Sequence, residues 1–210
     1  EWTHPLHDAS GNAVAGDRVV GPPRHVQWVA EPRWQRHHEM TPSLNAMVSS
    51  GGRLFAIINE APPGIDGLPD RWTLVARDAF SGVLLWKRPI AEWGWNQWGD
   101  HSYGNGRWNH PTHIARRLVA IADRVYVTLG FNAPLTALDA ATGETVMTYP
   151  ETRFTDEILY HEGTLVLAVN AARQGPGHVK VKPPVKKAVV ALGARTGELL
   201  WGTDGFTGAA

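Results

Sequence analysis

Ten tryptophans stand in this chain of 210 residues, and four of them, Trp93, Trp95, Trp98 and Trp108, fall within residues 91–114. The same stretch carries His101, His110 and His113, together with Asp100, Tyr103 and four glycines. Flat rings with hydrogen-bonding neighbours suit a sugar or an aromatic cofactor. Trp93, Trp95, Trp98, His101, Trp108, His110 and His113 are therefore the candidate ligand-binding set. The alternative is a loop whose rings pack over the fold as a local core. Imidazole and carboxylate also suit zinc, copper or non-haem iron, which would join His110 and His113 to Asp100 and His101. Pro111 separates the two histidines and no helix fixes their faces, so no metal ligand is assigned. His37-His38, ahead of Glu39, is too common a pattern to be specific.

Two further irregular stretches can carry chemistry, since binding concentrates on loops held by a rigid scaffold. Residues 59–71 hold Glu60 and Asp66 among prolines and glycines. Carboxylates of this kind serve calcium, but the run matches no calcium loop and reads equally as a hairpin extension. Residues 171–187 carry Arg173, His178, Lys180, Lys182, Lys186 and Lys187. Alternation of lysine with apolar residues there suits an exposed strand that resists edge pairing; an acidic partner is the other reading.

Composition narrows the classes. Lys plus Arg and Asp plus Glu balance at 20 each, so no charge excess argues for nucleic acid or an anionic membrane surface. Cysteine is absent, which excludes disulfides, thiolate metal sites and a cysteine nucleophile. No apolar run is long enough to span a bilayer.

The elements that would position these residues are repeated. Three stretches align: Leu74 to Trp86 through Asp78-Ala79-Phe80-Ser81-Gly82, Leu135 to Met147 through Asp139-Ala140-Ala141-Thr142-Gly143, and Val189 to Trp201 through Gly193-Ala194-Arg195-Thr196-Gly197. Each is an apolar strand, a polar turn ending in glycine and a second apolar strand, a hairpin signature. Aspartate can hold such a turn by accepting from backbone amides, and glycine accepts the positive φ that a compact turn demands. Gly193 replaces the aspartate, so the third turn is expected to be less firmly pinned.

Each hairpin follows another strand pair: 46–50 with 53–58, 117–121 with 124–129, and 157–160 with 164–169. The unit is a four-stranded meander. Gly82, Gly143 and Gly197 lie 61 and 54 residues apart, longer than the roughly 40–50 residues of a bare propeller blade; the irregular stretches account for the excess. A four-stranded sheet buries both faces only by stacking on others. The expectation is an all-β chain, a partial β-propeller of about three blades plus the end of another. Trp86 and Trp201 are expected to fill the gap between blades, with Met147 as the smaller equivalent and Trp28 as the same position of a preceding blade.

As organisation, residues 1–45 form an opening segment and the end of a preceding blade, and residues 46–90 a blade. Residues 91–114 form the Trp/His-rich insertion, 115–150 a second blade, 151–203 a third with the 171–187 insertion, and 204–210 the start of a next segment. Three and a fraction blades do not close a ring, so a longer protein or an assembly is expected.

The turns, with Leu85-Trp86 and Leu200-Trp201 after their glycines, resemble the repeat of the pyrroloquinoline-quinone-like propellers. That superfamily includes quinoprotein alcohol dehydrogenases and BamB-type outer-membrane assembly lipoproteins. The resemblance spans roughly residues 46–201, and Trp2-Thr3-His4, Gly11-Asn12 and Val26-Gln27-Trp28 resemble the opening of such domains. It implies a bacterial protein, periplasmic or otherwise exported. For the enzymes it implies a quinone near the axis, a calcium ion and an aspartate base, often beside adjacent cysteines. This chain has no cysteine, and Asp78 and Asp139 belong to the turns. Pyrroloquinoline quinone with calcium is expected only if further blades complete the site. The first functional expectation is a scaffold binding a small molecule or protein on the propeller face, with the remaining blades as structural partners. The second is a fragment of a quinone-dependent alcohol or sugar oxidoreductase. The third is a metalloprotein centred on His101, His110 and His113.

Overall fold

The computed structural model describes residues 1–19, 21–33, 43–63, 68–94, 97, 113–170 and 187–203. Their strands form three four-stranded antiparallel sheets, each a meander in chain order. The first holds β1 (Leu44–Ser50), β2 (Arg53–Asn59), β3 (Trp72–Asp78) and β4 (Leu84–Pro89). The second holds β5 (Leu118–Ile121), β6 (Arg124–Thr128), β7 (Leu135–Asp139) and β8 (Thr145–Tyr149). The third holds β9 (Thr155–His161), β10 (Thr164–Asn170), β11 (Lys187–Gly193) and β12 (Leu199–Gly202). The chain is thus all-β, a partial propeller.

The two-residue period of a strand explains the stacking. In β6, Val125 and Val127 enter a core shared with Phe55, Ile57 and Leu74 of the first sheet. Tyr126 between them enters a second core with Leu165 and Leu167 of the third sheet. The middle sheet is therefore buried on both faces. Each fully buried Leu or Phe contributes about 1.5–3 kcal/mol relative to exposure.

The three hairpin turns share one backbone frame. Residues Asp78, Asp139 and Gly193 each donate their N–H across the turn, to Val83, Glu144 and Glu198 oxygens at 2.9, 2.8 and 2.9 Å. Gly82, Gly143 and Gly197 have φ of 73°, 75° and 73°, the left-handed region that favours glycine. Asp78 Oδ1 accepts from Ser81 N at 2.7 Å, and Asp139 Oδ1 from Thr142 N at 2.9 Å. These bonds hold both carboxyls below the ordinary value of 3.8, chiefly through Ser81 for Asp78 and the Thr142 amide for Asp139. Gly193 keeps the backbone bonds and lacks the carboxylate, as the sequence suggests.

One aromatic contact recurs between units. Ala76 faces Trp86, Ala137 faces Met147 and Ala191 faces Trp201 across their hairpins, so the three positions are equivalent. Trp86 reaches the next sheet: its Nε1 donates to Ala140 O at 3.1 Å, and a Cβ on Gly143 would stand 2.6 Å from its ring. Trp28 repeats this on the first sheet, donating to Ala79 O at 3.1 Å and lying 2.5 Å from a Cβ on Gly82. No strand forms around Trp28, although its docking is that of a blade's last strand. At the third turn Met147 shares the place with Tyr149. Met147 Sδ and Tyr149 Cδ1 each lie 3.6 Å from a Cβ on Gly197, and the Tyr149 hydroxyl donates to Ala194 O. Trp201 is 51% exposed.

Gly143 and Gly163 separate strain from contact, because φ is positive at both but only Gly143 meets an indole. Gly163→Ala is expected to cost about 1–2 kcal/mol for left-handed backbone. Gly143→Ala adds an overpacking cost of about 1–3 kcal/mol. Equal urea midpoints for the two variants would contradict the docking of Trp86.

Candidate functional site

β1, β5 and β9 are the first strands of their sheets and adjoin one another, β1 with β5 and β5 with β9, so they line the hub. They start at the same end of the molecule. Asn45 lies near the start of β1, Arg117 directly precedes β5, and Asp156 lies near the start of β9.

Two of these side chains are placed by irregularities in pairing. The β1–β2 register skips Asn45, between Leu44 and Ala46. The β9–β10 register skips Asp156, between Thr155 and Glu157. An extra residue in one strand bends it and re-aims its side chain, a device common beside binding sites. Arg117 instead ends a 3₁₀ turn, Ile114–Arg117, that follows His113. The sequence reading put Arg117 within a strand; that strand begins at Leu118.

Arg117 is fully buried. Its Nη2 donates to Asp156 Oδ1 at 2.7 Å and its Nη1 to the Phe131 carbonyl. The guanidinium carbon lies 4.6 Å from the Phe131 ring centre and 6.0 Å from that of Trp93. His113 Nε2 stands 3.1 Å from the same Asp156 oxygen, at ion-pair distance. Trp93 Nε1 donates to Asn45 Oδ1 at 2.8 Å, and Trp93 belongs to the first core. The 91–114 segment is thus rooted at both ends in one buried polar group. Of the sequence candidates, the structure brings Trp93 and His113 to this group. Trp95, Trp98, His101, Trp108 and His110 lie outside the described residues, as do His37, His38, Asp66 and the charged residues of 171–186.

Buried polar atoms without a hydrogen bond gather at this same end. They include Trp72 Nε1 at the start of β3, Thr128 Oγ1 at the end of β6, Asn132 Oδ1 in the following loop and Asn170 Oδ1 at the end of β10. Among the described residues, none lies at the opposite end. Each such atom costs about 1–3 kcal/mol when unmatched, so water or a ligand is the natural complement. Asn45, Phe131, Asp156 and these four were not singled out from sequence. The one usable signal was an arginine directly ahead of the apolar run Leu118-Val119-Ala120.

The described residues do not fit a calcium–quinone pair. Asp156 accepts from Arg117, with His113 Nε2 3.1 Å away, and the Asp78 and Asp139 carboxylates are committed to their turns. Glu60 pairs with Lys87 Nζ. No cluster of three His, Asp or Glu among the described residues is placed to hold a metal.

The sheets, hub and shared turns define this chain as a β-propeller segment. No protein-family model and no curated protein matches it. Among solved structures it is similar to quinohemoprotein alcohol dehydrogenase from Comamonas testosteroni, at 18% identity and a TM-score of 0.49, over 78% of this chain and 21% of that one. It is similar to quinohemoprotein alcohol dehydrogenase ADHIIG from Pseudomonas putida HK5, at 18% identity and 0.43, over 74% and 19%. It is also similar to BamB from Moraxella catarrhalis, at 17% identity and 0.32, over 77% and 58%. The chain spans about a fifth of each dehydrogenase. No helix among the described residues is long and apolar enough to cross a membrane.

The Arg117–Asp156 pair gives a direct test. Breaking a buried pair from one side costs about 3–5 kcal/mol, whereas apolar replacement of both partners costs less. Arg117→Met or Asp156→Leu alone should therefore destabilise more than the double variant in denaturant unfolding. Additive losses would show that the two groups are not coupled.

Proposed function

We propose that this chain is a propeller segment acting as a binding scaffold, with its ligand face at the end where β1, β5 and β9 begin. One observation carries the reading: the unmatched buried polar atoms gather at that end, beside the roots of the Trp/His-rich segment. Three unmatched oxygens, an indole N–H and the His113 Nε2 favour a polar ligand with both hydroxyl and carbonyl character, such as a sugar or an oxygenated aromatic ring. Further blades of the same repeat are the structural partners; the exposure of Trp201 at the docking register supports this. By the resemblance of its repeat, the protein works outside the cytoplasm.

Quinone-dependent oxidation of an alcohol or sugar is the competing reading, and one experiment separates the two. Glucose, and separately pyrroloquinoline quinone with calcium, are added to the protein, and amide shifts are followed by NMR. The scaffold reading expects shifts at Asn45, Thr128, Asn132 and Asn170 with no dye-linked oxidation after dialysis. Retained quinone absorbance with turnover of an alcohol or aldose would replace it with the enzyme. Shifts confined to the opposite end, around Gly51, Asp123 and Gly163, would overturn the placement of the ligand face.

A further inference from the structure

The hub has a second end, and a different device occupies it. β1, β5 and β9 each pair on one side only, so their inner edges present backbone groups that need partners. Three successive residues of the N-terminal segment meet them, one per sheet. Trp2 and Ser49 of β1 exchange two backbone hydrogen bonds, at 3.0 and 2.7 Å. Thr3 O accepts from Ala120 N of β5 at 3.0 Å. The third link uses a side chain: His4 Nε2 accepts from Tyr160 N of β9 at 3.0 Å. Glu1 Oε1 adds a bond from Gly51 N at 2.9 Å.

His4 is buried. An Nε2 that accepts from an N–H carries no proton, so the ring proton sits on Nδ1, 2.8 Å from Thr3 Oγ1, which donates to His7 O at 3.2 Å. Every polar atom of the neutral ring is thereby satisfied. Protonation would set an Nε2–H against the Tyr160 N–H, two donors facing each other.

We infer that residues 1–8 are an acid-releasable clasp on the hub, closed while His4 is neutral and opened from β9 when its Nε2 takes a proton. The clasp lies at the opposite end from the proposed ligand face and is independent of it. Burial pulls the His4 pKa below 6.5, and the Asp8 charge opposes that. Docking is therefore fully supported above 6.5 and weakens as pH falls below it, because the released segment binds the proton more readily.

The groups around His4 are few. Its own segment supplies Asp8 and His7, which pair at 3.2 Å. β9 and its turn supply Tyr160, His161 and Glu162, which share with His4 and Asp8 a cavity of about 350 Å³. Tyr126 stacks on Tyr160 and stays neutral, burial raising its pKa to about 12. β5 offers Ile121 to the cavity, and β1 the uncharged Ser49.

Hydrogen exchange of the whole chain tests this at pH 7.5 and 5.5, with intrinsic rates corrected and the buried Leu167 amide as internal reference. In the parent protein, protection of Tyr160 and Ala120 should fall relative to Leu167, with a limiting slope of about tenfold per pH unit for one linked proton. His4→Gln, whose carbonyl can accept from Tyr160 without titrating, should remove that pH dependence. Asp8→Asn, which removes a charge favouring the protonated ring in the closed state, should leave the onset near pH 6.5 and make the loss at pH 5.5 equal to or larger than the parent's. Unchanged relative protection in the parent protein would overturn the clasp. So would an equal loss in His4→Gln, or a loss at pH 5.5 in Asp8→Asn smaller than the parent's.

Discussion

A four-stranded sheet with two apolar faces cannot stand alone in water, and the contact that joins one sheet to the next is an aromatic ring laid on a turn glycine. Trp86 on Gly143 shows its logic. The left-handed turn needs glycine for its backbone, and the missing side chain leaves a flat bed for the indole. The ring nitrogen then reaches the turn carbonyl three residues before that glycine. One residue type thus meets two demands, local conformation and contact between units. The burial of Phe55, Leu74, Leu118 and Val127 between the sheets follows from that alignment.

The stacking gives the hub two unlike ends. At one end, bulges at Asn45 and Asp156 turn polar side chains inward, and the buried Arg117 ties a strand start to the neighbouring sheet. Unmatched polar atoms collect there. At the other end the inner edges are covered by backbone and one neutral imidazole, and among the described residues no buried side-chain polar atom is left unmatched there. A ligand face and a closed face are thus built from the same three strands.

Much of the fold was legible because it rests on short-range chemistry. Aspartate and glycine at fixed offsets announce a turn wherever they occur; Trp86 could be matched by its offset from Gly82, and Trp28 by the likeness of Val26-Gln27-Trp28-Val29 to a final strand. The third interface was only half legible. Met147 holds the aligned position, but the hydrogen bond comes from Tyr149, two residues on and on the same face. The site was less visible. Asp156 and Asn45 matter because the register slips beside them, and a slip depends on the partner strand rather than on local spacing. Arg117 looked like a strand residue, and its burial depends on Asp156, 39 residues later. His4 belongs to a segment that looked merely introductory, yet its partner is Tyr160, 156 residues away.

The central claim is that ring and glycine form one contact, so their substitutions must not add. Stability is to be measured for Trp86→Ala, Gly143→Ala and the double variant by equilibrium urea unfolding. With the indole gone, alanine at position 143 should retain only its backbone strain of about 1–2 kcal/mol, and the double variant should lose less than the two singles combined. Strict additivity would contradict the account, since it would mean that the ring of one sheet does not rest on the turn of the next.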